Sequence, residues 1–403
     1  MDKIIKSANE AAEQIIEWGE SNNIETCFER AQRLKPCPIG AAGACCKVCH
    51  MGPCRFVGTN AEEEARGVCG ATLPTVSSRN LLRMAVAGAA AHSDHARDMS
   101  FVLLAVANGE TNDFRITDVK KLYRIAGILE IEFEGRPVND VARDLATKLL
   151  EDFGRQKGEL NYIKRAPKKT QERWRRWGII PRGVDREITE AMHRTHMGVD
   201  HDPDNLLLSA LKVSLADGWG GSMISTDITD ILFGTPKPVR AEASFGIFKE
   251  NEVNLVVHGH EPSLAEIIVD VVNETEMVEY AKSKGAEGIN LGGMCCTANE
   301  VLMRHGIPTA GGFTNQELAV LTGLVDAITV DVQCIMPALT ELSKKFHTKV
   351  ITTSYKAKIP GAMHIEYDEH HAREVARQIV KIAIDNFKNR NKEGIVASIT
   401  KLY

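Results

Sequence analysis

The sequence predicts a two-part α/β protein: an N-terminal helical domain over residues 1–234 carrying a run of cysteines, then a Rossmann-like, doubly wound parallel-sheet domain over residues 235–403. Two observations predict the parts, and a third places the boundary. Through the first part apolar residues recur at helical spacing, most densely in an alanine-rich stretch at 77–108. In the second part short apolar runs alternate with helical segments, the pattern of parallel strands joined by crossover helices. Pro236 and Pro238 mark the change of texture between them.

Taking the elements in order, Ile4, Ile5, Ala8, Ala11, Ala12, Ile15 and Ile16 fall on one face of an amphipathic helix. Cys27 stands alone and reads as a small core residue rather than a ligand. The next stretch holds six of the ten cysteines: Cys37, Cys45, Cys46, Cys49, Cys54 and Cys69. Thiolates separated by glycine, alanine and proline suit iron–sulfur clusters, because small residues let the backbone fold tightly around a bulky inorganic core. The last four, C-x2-C-x4-C and a more distant cysteine, provide the ligands of one cubane. Cys37 and Cys45 remain as half a site, completed most economically by a second copy of the chain across a two-fold axis. Zinc suits four thiolates equally well by spacing alone. A disulfide framework suits neither the length nor the cysteine usage.

The helix predicted at 77–108 places His92 and His95 three residues apart on one face. They read either as two solvated histidines or as a proton relay beside a metal site. Helical patterns continue over 112–154, including 138–153. The basic, aromatic run Arg-Trp-Arg-Arg-Trp at 173–177 admits nucleic-acid stacking, but a charged helix face or subunit contact explains it as well. His193, His196 and His201 follow at a spacing resembling zinc ligands without an accompanying glutamate base, and read as structural.

In the sheet domain, strands are predicted at 254–258, 288–291, 327–332 and 349–353, with helices at 263–273, 277–284, 298–304 and 372–388. Ligands collect at strand ends in such folds. The soft ligands of this domain sit there: His258-Gly-His260, Met294-Cys295-Cys296 and Gln333-Cys334. Their mixed sulfur and imidazole character suits nickel, iron or copper(I). A formal charge of -5 argues against a protein devoted to nucleic acid. No apolar run reaches the length of a membrane span, and thiolate ligands favour a reducing, cytoplasmic compartment.

These motifs together resemble one family, the anaerobic nickel–iron–sulfur carbon monoxide dehydrogenases, over essentially the whole chain. Pro-Cys-Pro-Ile-Gly, Cys-Cys-Lys-Val-Cys-His-Met-Gly-Pro-Cys-Arg, Thr-His-Met-Gly-Val-Asp, Val-His-Gly-His-Glu-Pro, Gly-Met-Cys-Cys-Thr-Ala-Asn-Glu and Val-Asp-Val-Gln-Cys-Ile-Met-Pro carry the resemblance. It implies interconversion of carbon monoxide plus water with carbon dioxide, with electrons passing through [4Fe–4S] clusters to a ferredoxin-like acceptor. It implies a homodimer with a cluster shared at Cys37 and Cys45, and a relay [4Fe–4S] cluster in each subunit at Cys46, Cys49, Cys54 and Cys69. His260 and Cys296 would bind the iron of a nickel–iron–sulfur active-site cluster, Cys334 its cubane portion, and Cys295 would stand beside it unligated. His92, with His95, would serve proton movement, although Asp98 and Phe101 occupy positions where the family's histidine ladder often continues. The resemblance further implies a C-terminal domain past residue 403, supplying three more cysteines and a lysine. On that expectation this chain belongs to a longer or split protein, with a complementing segment or acetyl-CoA synthase as a further partner. The alternative is a truncated iron–sulfur electron-transfer or scaffold protein.

Overall fold

The structure, a computed structural model, describes residues 5–56 and 65–390. Ile4 of the expected helix face lies outside them. The chain divides into two compact units: Met1–Leu34 with Thr111–Arg115 and Phe233–Tyr403, and Lys35–Glu110 with Ile116–Leu232. The expected boundary at 234/235 falls beside the break at Phe233, but the first 34 residues join the sheet unit, not the helical one. Packing explains this. Helix α1 (Glu10–Ser21) buries Ala11, Ala12, Ile15 and Ile16 in one core cluster with Leu318, Val320, Leu321 and Val325. Helix α2 (Cys27–Arg33) is tied to the same place, where buried Glu317 accepts from the Cys27 backbone N–H at 2.6 Å and pairs with Arg30 at 2.7 Å. So short a helix is marginal alone and forms where its apolar face finds a core. Helix α1 also starts later than its periodicity predicts. The Asn9 side chain caps it by accepting from Ala12 N–H at 2.9 Å, leaving Ile5 and Ala8 exposed ahead of it.

In the helical unit a hairpin of two-residue strands pairs β1 (Cys45–Cys46) with β2 (Cys54–Arg55), antiparallel, Cys46 opposite Cys54 and Cys45 opposite Arg55. The long helix Leu73–Asn108 follows and ends at Gly109, whose φ of 72° suits a left-handed helix stop. Its residues Leu82, Val86 and Ala89 are buried with Ala191, Leu206, Ala210 and Val213 of the helices Val184–Arg194 and Pro203–Asp217. Small alanines let these helices approach closely. No helix among the described residues is long and apolar enough to cross a membrane.

The sheet unit is built on six parallel strands: β3 (Val253–Gly259), β4 (Ile289–Met294), β5 (Thr309–Gly311), β6 (Val325–Val330), β7 (Lys349–Thr352) and β8 (Met363–His364). Their order is β5-β4-β3-β6-β7-β8. The chain therefore works outward from β3 in one direction, then restarts beside it at β6 and works outward in the other. Such a reversal opens a crevice at the C-terminal ends of β3 and β6, where doubly wound sheets bind their ligands. Strands β3 and β6 are buried along their whole length, as a sheet covered on both faces requires. β5 and β8 are short edges that periodicity does not signal.

Candidate metal centres

The pleat of β1 sorts the crowded cysteines. Successive strand residues point to opposite faces, so adjacent Cys45 and Cys46 diverge, while Cys46 and Cys54, directly opposite in the hairpin, share a face. Cys49 lies in the connection between the strands. Cys69 arrives on a turn closed by hydrogen bonds from Gly67 N–H to Ala71 O and from Gly70 N–H to Gly67 O, both 2.8 Å. Together Cys46, Cys49, Cys54 and Cys69 line one hollow, and Cys37 and Cys45 do not. The partition into four and two thus follows the fold. Gly67 packs against the Cys54 sulfur, which accepts from Val68 N–H at 3.4 Å.

Among the described residues, no three histidine, cysteine or acidic groups converge closely enough to hold a single metal ion. A tetrahedral zinc draws its sulfurs to about 2.3 Å from one point. Thiols spread around a hollow fit instead a cluster that brings its own bridging atoms, and the four-cysteine wall passes that test. Cys37 is exposed at the start of the helical turn Pro38–Ala41. Backbone N–H groups of Gly40 and Ile39, then Arg55 and Lys47, hold its thiol below the usual range. Cys45 is half-buried, and the Asn80 side chain donates to its carbonyl at 3.0 Å and to that of Gly43 at 2.8 Å. Asn80 sits one helical turn past Thr75 and Ser77, so the first turns of the long helix brace the cysteine loop.

His92 and His95 on that helix differ. His95 is buried, so the pair is not two solvated histidines. His92 is half-buried, its Nδ1 lies 2.7 Å from Asp217 Oδ1, and this hydrogen bond raises its pKa. The π-helical turn Gly218–Ser222 presses on it, since a Cβ on Gly221 would lie 3.0 Å from that of His92. In the basic patch, Arg175 pairs with Glu159 at 2.7 Å and Trp174 packs on Trp219 with ring centroids 6.0 Å apart, the arrangement of a charged helix face.

The second constellation lies at the topological reversal of the sheet. His260 follows β3, Cys295 and Cys296 open the helix after β4, and Cys334 follows β6. An isolated bridge between Gly259 and Cys295 extends the β3–β4 pairing into the loops. Three residues to which the sequence reading gave no role, Asp331, Gln316 and Gly259, hold this geometry. Asp331, half-buried, accepts from His260 N–H at 2.6 Å, from Val332 N–H, and from the Thr297 hydroxyl at 3.0 Å. It thereby latches all three loops. Gln316, buried, donates to Cys334 O at 2.6 Å and accepts from Met336 N–H at 2.9 Å. Gly259 has φ of 136°, and a Cβ there would fall 1.8 Å from Asp331 Oδ1. An aspartate directly after an apolar strand was the sequence signal for this latch.

The backbone at the site is strained. Cys295, Gln333 and Cys334 have φ of 61°, 64° and 55°. Each such conformation costs on the order of 1–3 kcal/mol, and it persists only where surroundings over-determine it. Among the described residues the two other non-glycine positions with positive φ, Asn23 and Glu130, lie just past helix ends, where such values are ordinary.

The sulfurs lie close enough to act on one another's ionisation. Burial, then the neighbouring Cys334, Cys296 and Asp331, pushes the Cys295 thiol up to about 12. Burial, Cys334, Asp331 and Glu300 raise that of Cys296. Burial, then Glu261, holds the Asp331 carboxyl at about 8. Mutually repelling acids at one locus favour a bound cation, which inverts that repulsion. His258, by contrast, is buried within β3 near Gln316 and the Met294 and Cys334 backbones; burial lowers its pKa, and it belongs to the wall.

A family profile described as the Prismane/CO dehydrogenase family matches residues 44–400. The chain is 50% identical over 393 residues to carbon monoxide dehydrogenase 1 of Methanosarcina mazei, covering 97% of this chain and 62% of that protein. It is 42% identical over 396 residues to the carbon monoxide dehydrogenase/acetyl-CoA synthase subunit beta of Moorella thermoacetica, covering 96% of this chain and 58% of that subunit. A solved as-isolated, nickel-free carbon monoxide dehydrogenase from Thermococcus sp. AM4 superposes with a TM-score of 0.93 at 48% identity, covering 98% of this chain and 64% of that one. The chain thus spans about three-fifths of the length of these relatives.

Proposed function

The chain belongs to the Prismane/CO dehydrogenase family, and from that membership we propose that it carries part of the machinery interconverting carbon monoxide plus water with carbon dioxide. The observation that carries the reading is the convergence of His260, Cys296 and Cys334 from three strand ends onto the reversal point of a doubly wound sheet. In the same chain a four-cysteine hollow suits an electron-relay cluster.

Cys46, Cys49, Cys54 and Cys69 would hold a [4Fe–4S] relay cluster, and Cys37 with Cys45 would contribute half of a cluster shared by a homodimer. His260, Cys296 and Cys334 would hold part of a nickel–iron–sulfur cluster, with Cys295 beside it as a protonated thiol. When bound, such metals supply an electron-rich site for carbon monoxide, a Lewis acid that makes water nucleophilic near neutral pH, and one-electron carriers.

The protein's own residues do the positioning. Asp331 fixes the His260 loop through its backbone N–H, and Gln316 fixes the Cys334 loop through its carbonyl. Neither spends a side-chain ligand to do so. His92, kept basic by Asp217, can hold and pass a proton near neutral pH. Electrons would leave to a ferredoxin-like carrier in a reducing cytoplasm. An acetyl-CoA synthase partner is suggested by the Moorella relative's assembly.

The test is anaerobic isolation of the protein with its native metals, metal analysis, and carbon-monoxide-dependent dye reduction. Nickel, iron and turnover are expected, with Cys296→Ala losing turnover. Iron–sulfur signals without nickel or turnover would instead make the protein an electron-transfer or scaffold component. Zinc in place of iron would overturn both.

A further inference from the structure

We propose that Arg79 sets the reduction potential of the cluster held by Cys46, Cys49, Cys54 and Cys69, by presenting an unneutralised guanidinium to it; the proposal rests on the relay-cluster reading above.

Arg79 lies in the second turn of the helix Leu73–Asn108, is 0% exposed, and lines the hollow together with the four cysteines. Its Nη2 donates to the Asp200 carbonyl at 3.1 Å and lies 3.5 Å from His201 Nδ1. Its Nε and Nη1 are buried and meet no acceptor among the described residues. One neutral carbonyl does not compensate a guanidinium removed from water; a buried charge left in that state is strongly unfavourable. The hollow it lines is walled by four thiols, which become anionic ligands when a cluster binds. The two unused nitrogens are donors, and sulfur accepts hydrogen bonds.

The segment carrying Thr195 to His201 acquires a purpose from this. Its histidines read as structural by spacing, and the segment supports the guanidinium from behind. The Thr75 hydroxyl donates to His201 O at 2.8 Å, Arg83 Nε donates to the Thr195 hydroxyl at 2.9 Å, and Met197 lines the hollow beside Arg79. Arginine suits the position because it remains charged when buried and offers donors in a fixed plane. Reduction adds one negative charge to a thiolate-bound cluster. A fixed positive charge stabilises the reduced state more than the oxidised one and raises the potential. Arg79 is thus a positioning and tuning residue, not a ligand.

The experiment is an anaerobic redox titration, monitored by EPR, of the [4Fe–4S] signal that Cys46→Ala abolishes. It uses the protein as isolated with its native metals, beside Arg79→Gln and Arg79→Lys. Absence of any such signal in the wild type would overturn the relay-cluster reading itself. With the signal present, R79Q is expected to keep its iron and become at least tenfold harder to reduce, about 59 mV for a one-electron couple. R79K, which keeps the charge, is expected to fall closer to wild type. An R79Q potential equal to wild type overturns the proposal. If R79Q loses the cluster, R79K decides: retained iron and a near-native potential support a charge role, whereas loss of iron in R79K as well assigns Arg79 to folding alone and overturns it.

Discussion

The cysteine hollow and the sheet-edge site solve the same problem, gathering soft ligands, in opposite ways. The hollow draws its four thiols from one short stretch, where a small hairpin puts Cys46 opposite Cys54 and a turn brings in Cys69. Its geometry is local, so spacing alone nearly specifies it. The sheet-edge site draws His260, Cys296 and Cys334 from three loops far apart in sequence. It exists only because the sheet brings the strand ends together, and it is stabilised by buried groups that are not ligands. The hollow holds none of the non-glycine positive-φ residues, whereas the sheet-edge site holds three. A local site can be relaxed; a non-local one is maintained by its surroundings, and its weak points lie in those surroundings.

The largest expected effects therefore fall on the sheet-edge supports. Gly259→Ala forces a Cβ onto Asp331 at a φ of 136°; backbone strain and overpacking together make this cost roughly 4 kcal/mol. Asp331→Ala leaves the half-buried N–H groups of His260 and Val332 without their acceptor, at roughly 1 kcal/mol for each. Both variants are expected to lose nickel while keeping the relay-cluster signal, as read by denaturant unfolding, metal analysis and EPR. Native nickel content and unchanged unfolding in either variant would break the contrast between the sites.

Within the cysteine loop the contrast is sharper, because two adjacent residues are assigned to different clusters. Cys46→Ala is expected to remove the relay cluster. Cys45→Ala is expected to leave it intact, to remove the shared cluster, and to weaken the dimer by roughly tenfold in Kd. Iron content, EPR and sedimentation would read this. Loss of both clusters from Cys45→Ala, or an unchanged dimer with full iron, would count against a half-site.

Much of this was legible in the residues. Spacing already grouped the four cysteines that line one hollow, and the strand ends bearing His260 and Cys296 were visible as apolar runs meeting histidine and cysteine. The strand before Cys334 ends at Val330, short of its apolar run, because Asp331 leaves the ladder to bind loop N–H groups. The destination of α1 was not legible. Its apolar face announces burial but carries no address, and only tertiary packing sends Ile15 and Ile16 to Leu318 and Leu321 rather than to the adjacent helices. Arg79 was silent for a related reason, since one arginine on an alanine-rich helix reads as a solvated charge until the fold closes over it.

The smallest effect compares single thiols in metal-free, reduced protein. Cys37 is exposed, and backbone N–H groups favour its thiolate. Cys295 is half-buried with its thiol held at about 12, against an ordinary 9.0. At about pH 8 that rise removes roughly three decades of thiolate, and the greater nucleophilicity of the weaker acid returns about half of the loss on a logarithmic scale. Cys295 should therefore react with iodoacetamide roughly thirtyfold more slowly than an ordinary thiol, and more slowly still than Cys37. Peptide mapping by mass spectrometry during a timed reaction would measure both. Equal rates would mean that the sheet-edge sulfurs do not crowd one another without metal, removing the electrostatic argument that a cation belongs there. Slow Cys295 and fast Cys37 would show that one thiol is kept protonated by burial and by its acidic neighbours, while the other lies open to solvent, where a second subunit could complete its site.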